Sequence, residues 1–167
     1  MDMRILVSAS SKHGSTAEIA ARIGEVIAAH GPDVTVAEPQ QVDEIDGYAA
    51  VVLGSAVYAG HWLAPAKELG ARVGAAGISQ VWLFSSGPIG DPAKPEEDPV
   101  DVAEVMSATS AIGHIVFTGK LDKAKLNFGE RAIIAAFHAP YGDFRRWDEV
   151  EAWAHGIAEA LVTTTVR

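Results

Sequence analysis

The sequence predicts an α/β doubly wound fold, a five-stranded parallel sheet of order 2-1-3-4-5 with helices on both faces. Three observations predict it. Short apolar runs alternate with helix-periodic segments along the chain, the pattern of successive βα units. The run AAVVLGS over 49–55 has almost no polar residue, as a strand covered on both faces requires. The first strand, over 4–9, runs straight into hydroxyl residues, a glycine and an amphipathic helix.

Each element follows from local pattern. Ile19, Ile23, Val26 and Ile27 recur at helical spacing and define a helix over 15–30, with Glu18, Arg22 and Glu25 away from the stripe. Gly31-Pro32 ends it. A short strand covers 34–37, Asp46-Gly47 marks a turn, and the apolar third strand follows. Residues 65–73 are helical in pattern, and QVWLFS over 80–85 is the fourth strand. A loop rich in proline and acid spans 87–99, then a helix runs to 109 and HIVFT over 114–118 makes the fifth strand. Residues 126–138 form an extra helix. The last helix covers 145–162, with Val150, Trp153, Ala154, Ile157 and Leu161 facing inward. Trp82 and Trp153 fall on core faces, and Trp147 packs at the start of the last helix. No repeat or linker interrupts the pattern, so 1–167 reads as one domain.

Composition narrows the functions. A chain of 167 residues can bury a full core. The net charge of −9 argues against sequence-independent binding to nucleic acid, which needs a basic face. The absence of cysteine excludes disulfides, thiolate catalysis and Cys-ligated metal centres. His30, His114, His138 and His155 lack metal-ligand spacing and read as structural, so no metal is expected. The N-terminus is not a signal peptide, and no apolar run approaches the ~20 residues of a membrane span. The expected location is the cytoplasm.

Open doubly wound sheets bind ligands beyond the carboxyl ends of their strands, which selects three loops. The first holds Ser10, Ser11, Lys12, His13, Gly14, Ser15 and Thr16. A helix begins there, so free N–H groups and a partial positive charge favour an anion. The short hydroxyls add donors and Gly14 lets the backbone come close. Helix capping accounts for one hydroxyl, not for so many around a glycine. The second loop holds Ser55, Ala56, Val57, Tyr58, Ala59, Gly60, His61 and Trp62, and the third Ser85, Ser86, Gly87 and Gly90. Together they suit a flat ring system tied to a phosphate.

Several residues keep two readings. Lys12 is either a solvated loop lysine or a phosphate partner. His13 and His61 are surface residues or ligand contacts. Tyr58 and Trp62 are packing aromatics or ring contacts. The run Asp91, Glu96, Glu97, Asp98 and Asp101 is a solvated loop or a docking surface. The segment 126–137 covers the core, forms an exposed lid or makes a dimer contact. The oligomeric state stays open. Other motifs fit worse. There is no Gly-Lys-Ser/Thr ending and no G-x-G-x-x-G. A signalling receiver would want acids where Ser8, Ala9 and Ser55 stand, although Lys120 matches one.

The set Ser11, Gly14, Ser15, Thr16 and Ala20 resembles the phosphate signature of the flavodoxin family, with one departure at Ala9, where the family usually has an aromatic. The run Gly54-Ser55-Ala56-Val57-Tyr58-Ala59-Gly60-His61 is similar to the menaquinone-dependent protoporphyrinogen oxidase branch, as is the order of Gly119, segment 126–137 and the helix over 147–157. That branch's basic, aromatic-rich insertion after strand five is shorter and less basic here. The resemblance implies a flavodoxin-like fold with non-covalent FMN. Ser10, Ser11, Lys12, His13, Gly14, Ser15 and Thr16 would wrap its phosphate. Ala56, Val57, Tyr58, Gly60, His61 and Trp62 would line one side of the isoalloxazine, and Ser86, Gly87 and Gly90 would reach the other side or the ring edge. The expected function is electron or hydride transfer, as an oxidoreductase or a carrier, with a redox protein, a quinone or a small molecule as partner. No acid, base or nucleophile is assigned. The rival readings are a deazaflavin in the same cleft and a non-redox binding or signalling domain.

Overall fold

The apolar first strand becomes the second strand of the sheet, flanked on both sides. The computed structural model describes residues 3–58, 60–87, 101–121, 127–137, 142–143 and 145–165. In chain order the elements are β1 (Arg4–Ser10), α1 (Ser15–Ala28), β2 (Asp33–Ala37), a 3-10 turn (Pro39–Gln41), β3 (Ala50–Tyr58), β4 (His61–Trp62), α2 (Ala64–Ala76), β5 (Gln80–Ser86), α3 (Val102–Thr109), β6 (Gly113–Phe117), β7 (Lys120–Leu121), α4 (Phe128–Phe137), β8 (Gly142–Asp143) and α5 (Trp147–Thr165). The parallel strands lie in the order β2-β1-β3-β5-β6. This is the predicted order of the five parallel strands. The short β4 turns back and pairs only with β3, and β7 with β8 makes a separate two-stranded ribbon.

Two layers of side chains cover the sheet. On one face Ile5, Val7 and Ala9 of β1 pack with Ile19, Ile23 and Ile27 of α1 and with Val150, Ala154, Ile157 and Leu161 of α5. Trp153 joins there as expected, edge-on to Phe84 and Phe117 with centroids 6.0 and 5.6 Å away. Trp82 is buried in the same layer. On the other face Leu6, Val51, Leu53 and Leu83 meet Leu69 and Val73 of α2 and Val105 of α3. This alternation is the strand period of two read from both sides.

Several expected boundaries shift. β3 runs three residues past 55, because the hairpin pairs Val57 with Trp62 and Tyr58 with His61. Val57 and Tyr58 are therefore strand residues, not loop. β5 gains Ser86, which pairs with Ala56 and Phe117. α1 stops at Ala28, and Gly31 turns the chain at φ +115°. His30 and His155 share a hydrogen bond of 2.8 Å that joins the end of α1 to α5. Of the expected loop at 87–99, all but Gly87 lies outside the described residues, including Gly90, Asp91, Glu96, Glu97 and Asp98, as do Ala59 and His138.

Close packing across the sheet makes one glycine indispensable. A Cβ on Gly54 would stand 2.2 Å from the Phe84 ring. Phe84 is fully buried and hemmed in by Phe117 and Trp153, so it has nowhere to retreat. Gly54→Ala is expected to cost about 1–3 kcal/mol by overpacking. Urea unfolding measures this, and a variant as stable as the parent would contradict the packing described.

Candidate functional site

The carboxyl edge of the sheet is shaped by how far each strand runs. The paired register of β1 ends at Ser10 opposite Ser55, and that of β5 ends at Ser86 opposite Ala56. β3 continues to Tyr58 before its hairpin, whose turn uses Gly60 at φ +81°. Loop one therefore lies beside a projecting hairpin, with the end of β5 on the hairpin's other side. The described residues of the three loops selected from the sequence share one edge.

Loop one is built around the start of α1. Gly14 is its N-cap, at φ +91°, a conformation that glycine adopts without strain. Among the described residues no side chain caps the helix. The capping explanation of these hydroxyls thus fails. Ser11 instead accepts a hydrogen bond from the Gly14 N–H at 2.9 Å, which curls the loop. Thr16 is fully buried and Ser10 nearly so, yet neither hydroxyl has a partner among the described residues. Ser8 is a third such hydroxyl, on the same face of β1 as Ser10. A buried hydroxyl without a partner costs about 1–3 kcal/mol. Ser10 at the end of β1 and Thr16 in the first turn of α1 flank loop one, and with the free amides of the helix start they make a donor set suited to a multiply hydrogen-bonding anion, while Ser8 lies deeper in β1 on the face of Leu6. The donor set fits a phosphate.

Loops two and three divide into exposed and buried parts. Tyr58 is 37% exposed and presents its ring at the hairpin tip. Trp62 is only 3% exposed. Its side chain sits in the core, and the indole N–H donates to Ser85 Oγ at 2.8 Å. Expected as a ring contact, Trp62 instead anchors the hairpin, because its pairing with Val57 turns it inward to the apolar face. Ser85 in turn lies 2.8 Å from His114 Nε2. Ser55 Oγ donates to the Ala56 carbonyl and accepts from the Leu63 N–H at 2.9 Å. Ser86 and Gly87 are buried at the end of β5, and the Gly87 N–H is engaged by the Phe117 carbonyl at 2.8 Å. That amide is therefore not a free donor for a ligand.

His61 is exposed, but its ring is held by Asp101 at 3.1 Å. The same carboxylate accepts the Trp62 N–H at 3.0 Å and lies 3.5 Å from Lys67. Desolvation opposes ionisation of Asp101, yet the Trp62 amide, His61 and Lys67 together keep it below the usual carboxylate range. Asp101, expected in a solvated or docking run, is thus the strut that fixes the hairpin to α3.

Two charged residues complete the edge, and sequence reasoning missed both. Arg145 has a nearly buried side chain that donates to the Ser15 carbonyl at 3.2 Å and to Glu18 at 2.6 Å. It also pairs with Asp143 at 2.8 Å and stacks 4.7 Å over the Trp147 ring. It ties the first turn of α1 to the start of α5. Glu130 of α4 accepts from Lys12 at 2.7 Å and from His13 at 2.9 Å. Asn127 and Glu130 form a reciprocal cap, Glu130 N–H to Asn127 Oδ1 at 2.8 Å and Asn127 N–H to Glu130 Oε1 at 3.1 Å. The run Asn127-x-x-Glu130 was the sequence signal for that cap.

These contacts fix the charge states. Lys12 and then His13 hold the Glu130 carboxyl down at about 2, well below its ordinary 4.5. Desolvation, then the nearby Glu130 charge, pushes the Tyr58 hydroxyl up to about 12. The folded state therefore binds the Glu130 proton more weakly than the unfolded chain does. The resulting stability is present above the ordinary carboxylate range and is lost as the pH falls toward about 2. Glu130→Gln removes this dependence. The difference in melting temperature between parent and variant is expected to be greatest near neutrality and to shrink in acid. Thermal melts across the acid range measure it, and a difference independent of pH would contradict the ion pair.

Among the described residues no three His, Cys, Asp or Glu side chains group as a metal site, and no helix is long and apolar enough to cross a membrane. The fold matches solved flavodoxins. A flavodoxin from the domain Archaea superposes with a TM-score of 0.65 at 20% identity, over 95% of this chain and 98% of that one. The flavodoxin of Streptococcus pneumoniae gives 0.61 at 16% identity, over 96% and 99%. Rubredoxin oxygen:oxidoreductase from the anaerobe Desulfovibrio gigas gives 0.66 at 14% identity, with 98% of this chain covering 37% of that larger chain. No curated protein matches the sequence. The family of the flavodoxin domain matches residues 6–145, most of the length. The chain therefore belongs to the flavodoxin domain family.

Proposed function

We propose that this chain is an FMN-binding flavoprotein that passes electrons or hydride in the cytoplasm, with a redox protein, a quinone or a small molecule as its partner. The observation that carries the reading is the pair of buried, unpartnered hydroxyls of Ser10, at the end of β1, and Thr16, in the first turn of α1, on either side of loop one. A phosphate satisfies these donors together with the first amides of the helix. Bound there, FMN would supply the redox chemistry, and the protein would set its position and surroundings.

The chain's own residues have separate tasks in this reading. Ser11 and Gly14 shape the loop, and Ser10, Ser15 and Thr16 offer donors. The ring would lie across the exposed face of Tyr58, beside Ala56, Val57 and Gly60. Ser86, Gly87 and Gly90 would border its other edge. Trp62 and His61 would act by holding the hairpin through Ser85 and Asp101. The narrower likeness to menaquinone-dependent protoporphyrinogen oxidase rests on the run Gly54 to His61 and the order of the later elements.

Ser10→Ala and Thr16→Val are each expected to weaken FMN binding by about 1–3 kcal/mol, the cost of leaving a charged acceptor short of a donor. Riboflavin, which lacks the phosphate, would bind parent and variants alike. Quenching of flavin fluorescence on titration measures both. A double variant with undiminished FMN affinity would contradict the assignment.

A further inference from the structure

We propose that Lys12 is a ring-side residue of the flavin site, held against the hairpin aromatic by Glu130, and not a ligand of the phosphate. This rests on the FMN reading above and divides loop one into two working ends. The phosphate end is set by Ser10, Thr16 and the first turn of α1. Ser10 stands opposite Ser55, and Tyr58 lies three residues further along β3. That is roughly 10 Å beyond the end of β1 at ordinary strand rise. The Lys12 ammonium is at this outer end. It sits 5.4 Å from the centroid of the Tyr58 ring and 2.7 Å from Glu130.

Both contacts favour the lysine where it is. The aromatic face attracts the cation, and the carboxylate gives it a charge-assisted hydrogen bond. Glu130 is itself locked by its reciprocal cap with Asn127, so it is a fixed anchor and not a mobile surface acid. Turning Lys12 to the phosphate would abandon both partners and take its ammonium away from the Glu130 carboxylate. At the outer end the cation lies against the ring instead. A positive charge there favours the reduced, anionic ring and raises its potential against the chain's net charge of −9. Glu130 tempers that effect and serves as a positioning residue.

The test compares FMN with riboflavin. Affinities for both, and the midpoint potential of bound FMN, are measured for the parent, Lys12→Met and Glu130→Gln. The expected result is that Lys12→Met changes both affinities by the same factor, leaving their ratio intact, and lowers the potential. Glu130→Gln likewise leaves the ratio intact and raises the potential. A fall of about tenfold or more in the FMN-to-riboflavin ratio for Lys12→Met, the loss of one charge-assisted phosphate bond, would overturn the proposal. An intact ratio with an unmoved potential would overturn it as well, because Lys12 would then touch neither end. A parent chain that binds neither flavin would instead remove the FMN reading itself, and this assignment with it.

Discussion

A strand that ends in a buried, unpartnered hydroxyl and a helix that starts without a side-chain cap, joined by one short loop, are the constraint on which the rest of the edge depends. Free amides and orphaned hydroxyls are unfavourable in isolation. They are tolerable at a site that a ligand completes. Gly14 makes the arrangement possible, because its left-handed conformation lets the chain turn from β1 into α1. Ser11 spends its acceptor capacity on the Gly14 amide and so holds the curl. The loop is thus organised before any ligand arrives, which reduces the ordering cost of binding.

The surrounding structure keeps that loop and its neighbour in place. Arg145 grips the first turn of α1 through the Ser15 carbonyl and Glu18. Asp101 and Ser85 fix the hairpin through the backbone and the indole of Trp62. Both anchors come from elements distant in sequence, and each side chain has more than one partner. The exposed Tyr58 is thereby carried on a rigid base. This is the usual division of labour at a binding site, with contact groups on loops and their supports packed into the scaffold.

Local pattern carried most of the architecture. The parallel α/β architecture followed from five apolar runs alternating with helices, the strand order from the resemblance to flavodoxins, and loop one from hydroxyls placed between a strand and a helix. What escaped was non-local. The hairpin return of His61 and Trp62 has no Asn-Gly or Asp-Gly turn to announce it, only Gly60. Its pairing register decides that Trp62 faces the core, and no periodicity in so short a run reveals that. The reach of Glu130 to His13 spans 117 positions, and its cap with Asn127 is the only local trace. Arg145 reaches Ser15 across 130 positions, again without a local signature. Asp101 looked like one of several loop acids, because composition alone cannot distinguish a strut from a solvated charge.

The central claim is that neutral donors at the end of β1 hold a phosphate dianion. Phosphorus NMR of the protein loaded with FMN tests it most directly. Donors that hydrogen-bond the dianion favour it over the protonated form. The account therefore predicts a bound phosphorus resonance that stays constant as the pH passes through about 6, where a free phosphate monoester titrates. A bound resonance that titrates like that of free FMN would place the phosphate in solvent and contradict the account.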